Sequence, residues 1–138
     1  MRNLLGAESV DHYNFNALSG NGPGGATDGR LTSVLRQVAG AYVRLFGYII
    51  HNPNATEAFI QIFGRPSSEV NLGVTAPDFI IKIGGLGSVA WDMIDPVDST
   101  MIADGERRSW TGFSMAATTT DTGSITPTTG LTGSIRYK

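Results

Sequence analysis

The stretch "IIHNPNATEAFIQIFGR", Ile49 to Arg65, sets two apolar runs on either side of a short polar knot, Asn52 to Thr56. Asn52-Pro53 presets a type I turn, with proline at its second position and Asn54 as a tolerant third residue. The reading that follows is two strands folded back on each other around a hairpin corner. Asn54-Ala55-Thr56 also matches the acceptor pattern for N-glycosylation. Nothing upstream points to secretion, since "MRNLLGAESVDHYNF" (1–15) lacks the long apolar middle of a signal segment, and the sequon is read as accidental.

Outward from this corner the same texture repeats. "LTSVLRQV" (31–38) and "AYVRLFGYIIH" (41–51) precede it, and the second carries large residues on both alternating faces, the pattern of a central strand covered on two sides. "SEVNLG" (68–73), "DFIIKI" (78–83) and "GSVAWDM" (87–93) follow at spacings of roughly ten residues. Turn residues separate them in "GRPSS", "VTAP" and "GGLG". "WTGFSMAATTT" (110–120) and "LTGSIRYK" (131–138) close the chain, with the Thr-rich "TTTDTGSITPTTG" as a long turn between them. About eight short strands without an intervening helical period predict an all-β fold, an antiparallel β-sandwich or jelly roll.

Residues 1–30 differ from this sandwich domain, 31–138. Leu4, Leu5, Tyr13, Phe15 and Leu18 are scattered, a short helix over 7–18 has poor apolar spacing, and "SGNGPGGATDGR" (19–30) cannot hold regular structure. The expectation is an extended N-terminal arm with a Gly-rich connector. Leu4, Leu5, Tyr13 and Phe15 are the apolar anchors of a segment that orders against a partner, and a plain tail is the alternative. On the first reading, removing residues 1–30 leaves a folded sandwich.

Composition narrows the chemistry. The chain has 138 residues, no cysteine and a formal net charge of −2, so disulfides and thiolate sites are excluded and no basic footprint for nucleic acid or anionic membrane is present. No apolar run reaches the roughly 20 residues of a spanning helix, and the expectation is an untargeted protein made in a cytoplasm. His12 and His51 lie in no metal-ligand pattern. Asp92, Asp95, Asp98 and Asp104 invite a Ca²⁺ reading, but their spacing is not that of an alternating calcium loop, and aspartates of this kind more often start turns. Glu57, Glu69, Asp78 and Asp92 could supply a pair of catalytic carboxylates, yet nothing marks one. "KIGGLGSVAW" (82–91) lacks the Lys-Ser/Thr of a phosphate loop and reads as a turn. The expectation is a protein that is not an enzyme, without cofactor or metal. Trp91 and Trp110 could stack on sugars, although a sandwich core also absorbs such residues.

The order of these segments resembles that of small β-sandwich structural proteins of tailed bacteriophages. The matching positions are Asn52 to Thr56, Val70 to Asp78 ("VNLGVTAPD"), Thr118 to Ser124 ("TTTDTGS") and Tyr137-Lys138, within a likeness spanning roughly residues 41–138. The resemblance implies a virion component, a capsid decoration or cement protein on the outer surface of the head. Its partner would be the major capsid protein, and it would form a homo-oligomer, with a trimer favoured. A carbohydrate-binding module of a phage tail or receptor-binding protein, built on Trp91 or Trp110, is the alternative.

Overall fold

A computed structural model describes residues 11–16, 29–40, 44–98 and 111–137. Eight strands run in the order β1 (Asp11–Phe15), β2 (Arg36–Ala39), β3 (Arg44–His51), β4 (Ala58–Phe63), β5 (Phe79–Ile83), β6 (Ser88–Asp98), β7 (Phe113–Thr118) and β8 (Thr132–Tyr137). They form two four-stranded sheets, β1-β8-β3-β6 and β2-β7-β4-β5, in which every pairing is antiparallel.

The pairing has a simple logic. β4 pairs with β5, β3 with β6, β2 with β7 and β1 with β8, so the chain is one long two-stranded ribbon doubled back at the β4–β5 connection. Rolling that ribbon up brings β8 beside β3 and β7 beside β4. This is the jelly roll, an arrangement that leaves only two short edges per sheet.

Period-2 alternation explains which residues meet between the sheets. Ala58, Ile60 and Ile62 of β4 face Phe113, Met115 and Ala117 of β7, Ile81 and Ile83 of β5, and Phe15, Ile50 and Ile135 from the opposite sheet. A reciprocal pair of 2.9 Å backbone hydrogen bonds joins Leu31 to Leu131, both fully buried, and closes one side of the sandwich. Each large side chain buried in this way contributes roughly 1.5–3 kcal/mol.

Both faces of β7 and most of β4 are covered. Ser114, Ala116 and Thr118 of β7 point away from the core yet are fully buried, as are Gln61 and Phe63 of β4. Loop backbone covers them: Ser114 Oγ donates to Arg65 O, Thr118 Oγ1 donates to Thr120 O, and Gln61 Nε2 donates to Thr118 Oγ1 and Gly123 O. The two-sided burial expected of residues 41–51 therefore falls on β4 and β7 instead. β3 is central in its sheet, but Ile49 on its outer face is 58% exposed.

Four further expectations are corrected. "SEVNLG" (68–73) is not a strand: Ser67–Glu69 forms one 3₁₀ turn, and Asn71 O accepts from Val74 and Thr75 in the turn that follows. "NPNAT" is not a hairpin corner, since β3 and β4 lie in different sheets and the knot carries the chain across the sandwich. Residues 1–30 are not wholly an arm. Asp11–Phe15 form the edge strand β1, paired along its length with β8, and Phe15 is fully buried in the core. Residues 29 and 30 are also tied in, because the buried Arg36 donates from Nη1 to Gly29 O at 2.8 Å and from Nη2 to Arg30 O. The apolar residues of β1 alternate with polar ones and can pack one face of the sheet, which stabilises a strand over a free segment. The suggested helix over 7–18 is likewise replaced by this strand over residues 11–15.

Candidate functional site

The sheet β1-β8-β3-β6 carries an open depression of about 440 Å³ lined by His12, Tyr48, Ile49, Ala90, Trp91, Ser134 and Arg136. All four strands of the sheet contribute. Its shape follows from the register. One row across the sheet runs Asn14, Ser134, Ile49, Ala90, and the row two residues further along each strand runs His12, Arg136, Gly47, Asp92. Residues two apart on a strand share a face. Gly47, Ala90 and Ser134 are the small members of these rows, and they leave a hollow where larger residues would fill the surface.

Gly47 has a second role. A Cβ at this position would lie 2.5 Å from Arg136 Nη2 and 2.5 Å from the Trp91 carbonyl oxygen. The bare glycine lets the Arg136 guanidinium lie across β3, and it admits the backbone of β6. Tyr48 and Trp91 are directly opposed in the β3–β6 register, and their rings meet at a centroid distance of 5.4 Å and an interplanar angle of 40°. Both alternate with the residues of the hollow, sharing the core side of the sheet with Ile50, Val89 and Ile135, and pack partly against the core. Burial raises the Tyr48 phenol above its ordinary value of 10.0, keeping it a neutral donor and acceptor across the physiological range.

The other residues singled out by sequence fall elsewhere. His51 ends β3, exposed, with Nδ1 3.0 Å from Ser88 Oγ. Glu57 pairs with Lys82 at 3.2 Å on the surface, and Asp78 Oδ2 accepts from Gly64 N at 2.7 Å. These carboxylates are engaged in surface pairing and in fixing the β4–β5 connection. Glu69 is exposed in the 3₁₀ turn. Among the described residues no group of three His, Asp or Glu side chains could hold a metal ion. The side chains of Asp92, Asp95 and Asp98, and all of Asp104, Trp110, Leu4 and Leu5, lie outside the described residues. Tyr13 is half-buried in β1 and packs against the core, and Phe15 is inside it, so neither is a side chain on a free arm. The "GGLG" segment is a turn as expected: Gly87 N donates to Gly84 O, with Leu86 at φ +56°.

The polar knot is a structural site. Asn52 is fully buried, its Nδ2 faces the carbonyls of Thr56, Ile83 and Gly84, and its Oδ1 accepts from Asn54 N at 3.0 Å, an Asx turn spanning Pro53. Asn54 in turn exchanges two 2.8 Å hydrogen bonds with the backbone of Thr129. The amide nitrogen of the sequon is thus committed to protein acceptors.

No protein-family model matches the chain, and neither a curated protein nor a solved structure is significantly similar to it. What fold and surface define is a class: a jelly-roll β-sandwich whose loops are tied down by buried amides, with a small hollow on the outer face of one sheet.

Proposed function

We propose that this chain is a non-enzymatic structural protein of a tailed-bacteriophage virion, a decoration or cement protein that binds the major capsid protein lattice on the outer surface of the head. Jelly rolls recur in viral capsid and lectin domains, and the segment order described above resembles that of small phage sandwich proteins. Fold-level likeness is an analogy, so the reading needs a surface that could do the work.

The observation that carries it is an apolar flank. Val74, Ile125 and Val34 are 77%, 69% and 49% exposed. They lie along one line of loops: Gly73 abuts Ser124, where a Cβ would come 3.3 Å from that residue's Cβ, and Ser33 N donates to Thr126 Oγ1 at 3.2 Å. Exposed apolar residues grouped on a rigid body mark an interaction surface more often than singly scattered ones. A subunit bridging two shell proteins adds buried area at a seam, and repeated contacts across the lattice, or within a homotrimer, multiply weak single affinities into avidity.

The test is a double variant, Val74→Asp with Ile125→Asp. Both side chains sit on exposed loops, so the melting temperature should stay within a few degrees while binding to purified shells drops by at least about tenfold. Undiminished decoration by the double variant would contradict this assignment of the surface.

A further inference from the structure

We infer that Leu86 is an anchor by which one copy of this chain docks into the hollow on the β1-β8-β3-β6 sheet of a second copy. The inference stands apart from the decoration reading, because it concerns other surfaces and either can fail alone.

The β5–β6 turn is unusual at its tip. Gly87 N donates to Gly84 O at 3.0 Å, which makes Leu86 the third residue of a four-residue turn, with φ +56°. A left-handed third position normally falls to glycine or asparagine, because a bulky side chain crowds its own backbone there. Glycine stands at 84, 85 and 87, yet this position carries leucine, and it is 68% exposed. Single exposed leucines are common on protein surfaces, but residues held in a disfavoured backbone conformation gather at functional sites.

The tip is also tied down. Leu86 N donates to Asn54 O at 2.7 Å, Asn52 N donates to Gly87 O at 2.9 Å, and Asn52 Nδ2 donates to Gly84 O at 3.1 Å. A Cβ on Gly85 would come 2.1 Å from Ala55 O, so the turn lies directly on the polar knot. An anchor fixed before binding loses little entropy on docking. It is held away from the hollow of its own copy, since Ala90 lies four residues further on, roughly 13 Å of extended backbone.

The hollow supplies the matching half. Its lining includes the exposed Ile49 and Ala90, with His12, Ser134 and Arg136 beside them. At about 440 Å³ it has the size of a small-molecule site, and so admits one aliphatic side chain with its flanking backbone. Among the described residues nothing donates to the carbonyl oxygens of Gly85 and Leu86, and the side chains of His12, Ser134 and Arg136 can donate to them across the contact. A net charge of −2 leaves little repulsion between copies. The presence of both halves on one chain points to a second copy as the occupant, and the contact can close across a two-fold axis or head to tail around a ring.

Sedimentation velocity of the full chain, from about 10 μM to about 1 mM, brackets the weak affinities that one central anchor supports. The average mass should rise above the 14.6 kDa of a single copy as concentration increases. Leu86→Gly relieves the turn, so its melting temperature should stay near the parent's while association weakens at least about tenfold. Ile49→Asp, at an exposed position, should weaken association as much. Mixing Leu86→Asp with Ile49→Asp pairs an intact hollow with an intact anchor and should restore complexes that neither variant forms alone. A monomer at every concentration, undiminished association of Leu86→Gly or of Ile49→Asp, or a mixture that associates no better than its components would each overturn the assignment.

Discussion

The side-chain oxygen of Asn52 accepts two hydrogen bonds from Asn54, one from its backbone N–H at 3.0 Å and one from its carboxamide at 2.9 Å. Asn54 N–H bonding closes the turn, and Asn54 then reaches Thr129, so the buried Asn52 and its neighbour Asn54 together join the β3–β4 crossover, the β5–β6 turn and the loop before β8. Asn52→Asp replaces a donor facing three carbonyl oxygens with an acceptor-only carboxylate. We expect a loss of about 2–4 kcal/mol at neutral pH in a urea titration, and a smaller loss from Asn52→Ala. Equal stability of Asn52→Asp and the parent would show that these contacts contribute nothing.

Phe15 pairs with Gly133 in the β1–β8 register, and its ring lies in the core. Phe15→Ala should cost about 3–5 kcal/mol through the lost burial and the cavity left behind. Deleting residues 1–16 removes the edge strand and should lower the unfolding midpoint sharply or prevent folding. An unfolding midpoint unchanged by this truncation would contradict the placement of β1.

Much of this was legible in the sequence, and the exceptions have physical causes. The eight-strand sandwich followed from spaced apolar runs and Gly/Pro turns, and the runs at 57–63, 78–83, 87–93, 110–120 and 131–138 each contain or overlap a strand. "SEVNLG" misled because Val70 and Leu72 alternate as strand residues do, while hydrogen bonds from Glu69 and Val70 back to Pro66 and Ser67 close a tight turn. The alternation of His12, Tyr13, Asn14 and Phe15 is the available signal for β1, and it is short beside the scattered Leu4, Leu5 and Leu18 around it. The depression was not legible in the sequence. Its shape depends on which small residues fall in register across four strands, and register between segments more than 80 positions apart is a property of the rolled-up ribbon.

Gly133 has φ +154°, and a Cβ there would lie 2.1 Å from Ile49 O and 2.9 Å from Ile50 Cα. Gly133→Ala therefore meets both an unfavourable backbone angle and neighbouring backbone that cannot rotate away. A destabilisation of about 1–3 kcal/mol or more is expected by thermal or chemical denaturation. Neutrality of this substitution would mean that the β3–β8 strands approach less closely than described.

The raised Tyr48 phenol fixes a sign for alkaline behaviour. Above about pH 10 the unfolded chain loses this proton while the folded chain keeps it, so the folded state binds more protons and stability falls as pH rises towards the folded value. Ultraviolet titration should show a tyrosine component ionising above the ordinary phenol value, and Tyr48→Phe should remove that component together with its share of the alkaline destabilisation. A Tyr48→Phe titration identical to the parent's would contradict the buried phenol.

The decoration reading is tested most directly by locating the protein in purified virions, with antibody-gold labelling or cryo-electron microscopy difference density against particles lacking the protein. The account predicts density at regularly repeated positions on the outer surface of the capsid shell. Density confined to the tail, or a virion without the protein, would contradict it.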